Sequence, residues 1–310
     1  MQIYLPIAEI PVNVIVILTL GLAAGFLAGM FGIGGGFIAT PLLMFIGIPS
    51  AVAVATSTNQ IIASSASGLL AQLRKGNVDV KMGLFLVFGG FIGSTIGVSI
   101  FKVLQSTGHT DVTIALIYVI FIGGVAITML KESVKTILEK KYDIIWEGSK
   151  GKHLSKVLRK MNHLPWKVYF PKSDITVSLI APVVLSIGIG ILVALMGIGG
   201  GFLMIPAMLY ILRMPSQMIV GTSLFQILFI ASNATFLQAI TNNSIDIVLA
   251  LLMIISSAIG AQIGIRAGSR IDADKLRFFL AILLLAVCSK MMLILFSEPS
   301  SLYVVEVLKQ

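Results

Sequence analysis

Phe31–Pro41 reads "FGIGGGFIATP" and Met196–Pro206 reads "MGIGGGFLMIP". Each run places three consecutive glycines inside an apolar stretch, follows them with phenylalanine, and reaches a proline five residues after the last glycine. Glycine is the poorest helix former after proline. A helix that meets such a run is expected to break there, and the duplication makes the break a repeated device.

The surrounding chain is membrane-like. Hydrophobic residues make up 57% of the 310 and charged residues 11%, against roughly 25% charged in ordinary soluble domains. Stretches without a charged residue or histidine run from Ile10 to Leu73, Met82 to Phe101, Val112 to Leu130, Ile175 to Leu212, Met214 to Ile245, Ile247 to Ile265 and Phe278 to Ser289. Most reach the roughly 20 residues that cross a hydrocarbon core. The expected fold class is therefore all-α and polytopic. The start, "MQIYLPIAEIPVN", lacks the basic flank and cleavage site of a signal peptide, so the first span is read as retained. Cys288, the single cysteine, is expected to pack as a small apolar residue. The net charge of +9 is explained by basic loops beside membrane spans. No nucleic-acid partner is inferred.

Alignment of the two glycine runs extends in both directions. Gly32, Gly34, Gly35, Gly36, Phe37 and Pro41 match Gly197, Gly199, Gly200, Gly201, Phe202 and Pro206. After one inserted residue, Pro49-Ser50 matches Pro215-Ser216, and "ATSTNQ" ending at Gln60 matches "GTSLFQ" ending at Gln226. One residue further out of step, Asp79 meets Asp246, and Gly93 and Gly97 meet Gly260 and Gly264. The chain divides into a first transmembrane repeat (1–130), a basic linker (131–174) and a second transmembrane repeat (175–310).

Basic residues orient the repeats. The linker carries 11 of the 22 Lys and Arg residues against five acids, which places it in the cytoplasm. Arg74, Lys75 and Lys81 then mark a cytoplasmic loop, whereas the matching connector near Asn242, Asn243 and Asp246 has no basic residue. The connector with Lys102, His109 and Asp111 falls outside, but its counterpart carries Arg266, Arg270, Lys275 and Arg277. Matching loops thus exchange their charge bias, the mark of inverted-topology repeats. Each half would hold a long span ending at the glycines, a short half-span (Phe37–Gly47, Phe202–Leu212) and three further spans. Both chain ends would lie outside a multi-pass inner-membrane protein. A short segment of about 11 residues rises only about 16 Å as helix, too little to cross a 30 Å core.

Broken helices survive in a bilayer where they are buried in protein or line a watery cavity. At Gly34, Gly35 and Gly36, and at Gly199, Gly200 and Gly201, the restarting helix would offer free amides and the positive end of its dipole, a setting suited to an anion. Close packing through small residues is the simpler use of glycine. Gly93 and Gly260 are assigned to it. The next span in each half adds donors: Thr56, Ser57, Asn59 and Gln60 in the first, Thr222, Ser223, Gln226 and Asn233 in the second, with Ser64 and Ser67 continuing the first stripe. Such groups also bond their own backbone or a neighbouring helix. Asn59 faces Phe225 in the alignment, a break in symmetry that would leave the half-sites unequal.

No carboxylate lies deep in a span, so a proton relay of the usual Asp/Glu kind is missing and an anion fits the inventory better than a cation. Lys290 is the one charge well inside a span; it either snorkels outward or forms an electropositive lure near the outer mouth. His109, His153 and His163 lie in connectors without metal-ligand spacing, and no nucleophile has a partnered base. Neither catalysis nor a cofactor is inferred. The Gly-Lys-Ser/Thr ending of a P-loop is absent from the glycine runs. The linker, with Trp146 and Trp166, could lie as an amphipathic helix at the cytoplasmic surface.

The glycine runs, "PSAVAVATSTNQ", "PSQMIVGTSLFQ" and the basic loops together resemble the TauE/SafE family of membrane permeases, often called sulfite exporters. The resemblance covers nearly all of both repeats. It implies movement of sulfur-containing anions such as sulfite, sulfonates or related organic acids, usually outward across the bacterial inner membrane. The expectation is a secondary transporter of a small anion, working by alternating access within the lipid bilayer, with proton or ion coupling and oligomeric state left open. An anion channel, and a membrane scaffold or sensor acting through the linker, are the alternatives.

Overall fold

The computed structural model describes residues 2–107, 110–142, 166–268 and 273–296. They form two halves with one element order. The first comprises β1 (Gln2–Leu5), β2 (Ile10–Asn13), α1 (Val14–Phe31), α2 (Gly36–Phe45), α3 (Ser50–Arg74), α4 (Val80–Ser106) and α5 (Thr110–Tyr142). The second comprises β3 (Lys167–Phe170), β4 (Ile175–Ser178), α6 (Ile180–Met196), α7 (Gly201–Pro206), α8 (Ser216–Asn242), α9 (Ile247–Gly268) and α10 (Ala273–Phe296). Past Pro206, α7 continues as one π turn, Ala207–Ile211. The two short segments expected after the glycines are thus α2 and the α7–π pair, each too short to cross a bilayer.

Among the described residues, five helices are long and apolar enough to do so: α1, α4, α5 up to Lys131, α8 from Gln217, and α9. Their outward faces are apolar and exposed, as on α4, where Leu84, Phe88, Phe91, Ile92, Ile96 and Ile100 face away from the protein. The 25-residue α3 has the length to span but a more polar sequence, and it buries Val52–Thr58 and Gln60–Ile61 without exposing an apolar band there.

Two antiparallel hairpins add strands to the expected all-helical fold. Gln2 pairs with Asn13 and Leu5 with Ile10; Lys167 pairs with Ser178 and Phe170 with Ile175. The offset that aligns Gly32 with Gly197 also aligns the two hairpins strand for strand, with Leu5 and Phe170 fully buried at matching places. The second repeat therefore begins before Ile175, inside the segment read as linker. Four-residue strands are too short to show a period, and Pro6 and Pro11 obscure the first pair. The rest of the linker, 143–165 with Trp146, lies outside the described residues; Trp166 is exposed.

Packing between the halves is reciprocal. Helix α1 lies along α9, and α6 lies along α4. The contacts run through glycine. A Cβ on Gly25 or Gly29 would collide with the backbone of Ser257 or Ala261 across the α1–α9 seam. Gly93 and Gly97 of α4 play the same part against Ile187 and Ile191 of α6, and Gly260 and Gly264 against Leu22 and Phe26. Close backbone approach gains dispersion contact where lipid supplies no hydrophobic drive, so Gly93 and Gly260 pack as expected. Helix α3 meets α8 in the centre, and α5 meets α10. Cys288 sits in that last seam, its sulfur 3.6 Å from the Val119 carbonyl oxygen.

Candidate functional site: paired glycine turns and a buried polar stripe

Each glycine run makes the same backbone turn. Gly32, Gly34 and Gly35 have φ of 69°, 87° and 71°; Gly197, Gly199 and Gly200 have 64°, 82° and 64°. L-residues with a Cβ rarely adopt this left-handed region. Gly32 and Gly197 close α1 and α6, donating to Ala28 and Val193 carbonyls at 2.8 and 2.9 Å. The fourth glycine is needed for space, since a Cβ on Gly36 would collide with the carbonyl oxygen of Gly197, and one on Gly201 would lie 2.7 Å from that of Ile33. The turns from the two halves thus meet backbone to backbone. Behind them Phe37 and Phe202 pair at 6.4 Å between ring centroids.

Among the described residues, the amides of Gly34, Gly35 and Phe37 and those of Gly199, Gly200, Gly201 and Phe202 have no backbone or side-chain acceptor. The turns are covered by side chains. Ile61 from α3 packs on Gly34, Gly36 and Gly199, and Ile227 from α8 on Gly34 and Gly201. With Ala231 they form a small buried cluster of their own. All residues from Gly32 to Pro41 are buried. The described conformation is closed over the turns.

The polar stripe divides unequally. In α8, every expected site residue is hydrogen-bonded, Thr222, Gln226 and Asn233 to other elements and Ser223 within its own helix. Thr222 Oγ1 accepts from the Asp79 amide at 3.0 Å; Ser223 donates to Val220; Gln226 Nε2 donates to Ser186 Oγ at 2.8 Å; Asn233 Nδ2 donates to Ser94 Oγ at 2.8 Å. Of Thr56, Ser57, Asn59 and Gln60 in α3, only Asn59 is engaged, donating to Ala55. Thr56 Oγ1, Ser57 Oγ and both amide atoms of Gln60 are buried without a partner among the described residues. Ser65 shares that condition, and its Oγ lies beside Gly34. Ser64 instead donates to the Gly34 carbonyl at 3.1 Å.

Other residues that build this region were not singled out from sequence. Tyr118, fully buried in α5, donates to the Met196 carbonyl at 2.7 Å, and Thr40 donates to the same oxygen at 3.2 Å. Both therefore hold the last carbonyl before the second turn. Thr40 aligns with Ile205, so the first turn has no such clasp from α7. Asp79 and Asp246 cap α4 and α9, accepting from Met82 and from Val248 and Leu249. Each also ties the hairpin of the opposite half: Ser173 Oγ donates to Asp79 at 2.6 Å, and the Ile7 amide donates to Asp246 at 3.0 Å. The matched acids in the alignment were the available signal. Around the second hairpin, Lys172 and Lys81 donate to Val78 and Tyr169 carbonyls. The Tyr169 hydroxyl bonds Asp174, a bond that together with the carboxylate's charge raises its pKa above the ordinary range.

Lys290, the charge expected inside a span, is exposed on α10 with Nζ 4.3 Å from the centre of the Phe45 ring, at the end of the short helix α2. A cavity of about 600 Å³ lined by Lys81, Leu84, Phe85, Phe88, Trp166 and Val183 opens on the apolar outer surface of α4 and lies apart from the stripe residues.

The model of the sulfite exporter TauE/SafE family matches residues 17–291. The probable membrane transporter protein YunE of Bacillus subtilis is 27% identical over 281 residues, covering 88% of this chain and 95% of its own. A probable membrane transporter protein of Methanocaldococcus jannaschii is 25% identical, covering 86% and 91%. The Arabidopsis thaliana sulfite exporter TauE/SafE family protein 1 is 30% identical over a shorter stretch, 33% of this chain and 23% of its own. No solved structure matches the chain significantly.

Proposed function

Because the chain belongs to the sulfite exporter TauE/SafE family of membrane proteins, we propose that it is a secondary transporter carrying a small anion, sulfite or a sulfonate, by alternating access between two inverted halves. The observation that carries the reading is the meeting of the turns, Gly36 against Gly197 and Gly201 against Ile33. Two interrupted helices from the two halves come together at one buried place, the arrangement that transporters use for a midplane site.

Several features support an anion. The free ends of the turns are amides, the neighbouring side chains are hydroxyls and carboxamides, and no acid among the described residues stands on α2, α3, α7 or α8. Preformed amide and hydroxyl donors stabilise negative charge in a water-poor setting without a buried cation. The closed cover of Ile61 and Ile227 supports a carrier over an open pore. Substrate would reach the stripe once the α3–α8 contact loosens on one side. Inversion is supported by the exchanged charge bias of matching loops and by the hairpins, each docked on the opposite half at Asp79 or Asp246.

Uptake of labelled sulfite, small sulfonates and carboxylates into proteoliposomes tests the reading. Saturable flux at carrier rates is expected. Ohmic conductance far above such rates would make the protein a channel, and no saturable flux for any anion would end the transport claim.

A further inference from the structure

The two aligned glutamines are not equivalent. Gln226 is held by Ser186, which in turn donates to the Leu86 carbonyl. The residue of α1 that aligns with Ser186 is Gly21, so α1 itself offers no hydroxyl at that place; the Ser256 Oγ of α9 stands against Gly21 but donates to the Leu252 carbonyl and is not bonded to Gln60. Gln60, fully buried, keeps Nε2 and Oε1 both unpartnered. A buried donor and a buried acceptor without partners are each costly, and an unpaired pair on one side chain calls for a ligand that supplies both complements.

We infer that Gln60 is the specificity-determining side chain of the anion site, and that it selects an anion carrying a hydrogen-bond donor beside its charged group. This rests on the carrier reading given above. A bare oxoanion presents acceptors only. It satisfies Gln60 Nε2, but it leaves Oε1 facing negative charge. A hydroxyl, an ammonium, or the proton of a singly protonated oxoanion completes the amide. The site is then one-sided: α3 reads the substrate, and α8 is braced against α4 and α6.

The experiment uses the intact protein in proteoliposomes and three sulfonates that differ only at the far carbon: ethanesulfonate, 2-hydroxyethanesulfonate and 2-aminoethanesulfonate. Sulfite, assayed above and below its second ionisation at fixed total concentration, separates a donor that is a proton of the anion from one on a substituent. The expected result is a kcat/KM at least about tenfold higher for the donor-bearing sulfonates, or for the singly protonated form of sulfite. In Gln60→Met, which keeps length and removes both polar ends, that ratio falls toward one, chiefly through KM, while the thermal midpoint holds or rises. If Gln60→Met does not fold, Gln60→Asn, which withdraws the amide by one carbon, must show the same loss of ratio. Equal transport of all three sulfonates with sulfite flux tracking the fully ionised form overturns the inference but leaves the carrier reading intact. A preference that survives in the Gln60 variants overturns it as well, and marks Gln60 as satisfied by water. Absence of saturable flux for every probe overturns the carrier reading itself, and the inference with it.

Discussion

The carbonyl oxygen of Gly197 occupies the place where a side chain on Gly36 would begin. Gly36→Ala must therefore push the two turns apart or shift α2, an overpacking cost of about 1–3 kcal/mol. Gly188 supplies the control, since it lies on the exposed face of α6 with open space around a Cβ. Thermal unfolding in detergent should show a lowered midpoint for Gly36→Ala and an unchanged or higher one for Gly188→Ala, which gains about 1 kcal/mol of helix propensity.

Thr56 and Thr222 align, yet only Thr222 has a partner. Thr222→Val deprives the buried Asp79 amide of its acceptor and should cost about 1–3 kcal/mol. Thr56→Val removes an unpartnered buried hydroxyl, so stability should hold or rise while anion flux falls. Melting curves together with a flux assay separate the two outcomes.

Asp79 caps α4 and also holds Ser173 of the second hairpin. Asp79→Ala removes both contacts, at about 1–2 kcal/mol for the cap alone. Limited trypsin digestion should cut after Lys172 faster in this variant. Asp246→Ala, which frees the first hairpin from its Ile7 tie, should leave the rate at Lys172 unaltered.

Tyr118 and Thr40 share the Met196 carbonyl oxygen. Either hydroxyl alone keeps that buried acceptor satisfied, so Tyr118→Phe and Thr40→Val should each cost about 0.5–1.5 kcal/mol. Their combination leaves the carbonyl bare and should exceed the sum of the singles, a coupling that a double-mutant cycle on thermal stability measures.

The repeat, the broken helices, the two short segments and the packing role of Gly93 and Gly260 were legible in the sequence, because glycine runs and apolar lengths are local signals. The hairpins were not: strands of four residues carry no period, and Lys167–Phe170 lay at the end of a charged linker. The polar stripe could be found but not apportioned. Thr56 and Thr222, or Gln60 and Gln226, are alike as residues, and what separates them is whether Asp79 or Ser186 comes within reach across the fold. Asn59 opposite Phe225 hinted at unequal half-sites; the larger inequality came from Gly21 aligning with Ser186, a pair outside the motifs. Ile61 and Ile227 read as ordinary apolar residues, and only the closeness of the turns makes them covers.

The inverted arrangement of the two halves requires that their aligned positions face opposite sides of the membrane. Gly76 and Asn243 align in matching left-handed turns, φ 72° and 47°, and both are exposed. In a Cys288→Ser background, Gly76→Cys and Asn243→Cys can be exposed in intact cells to a membrane-impermeant thiol reagent. The account predicts labelling of Asn243→Cys alone, with Gly76→Cys reacting only after the cells are opened; labelling of both from the same side would contradict it.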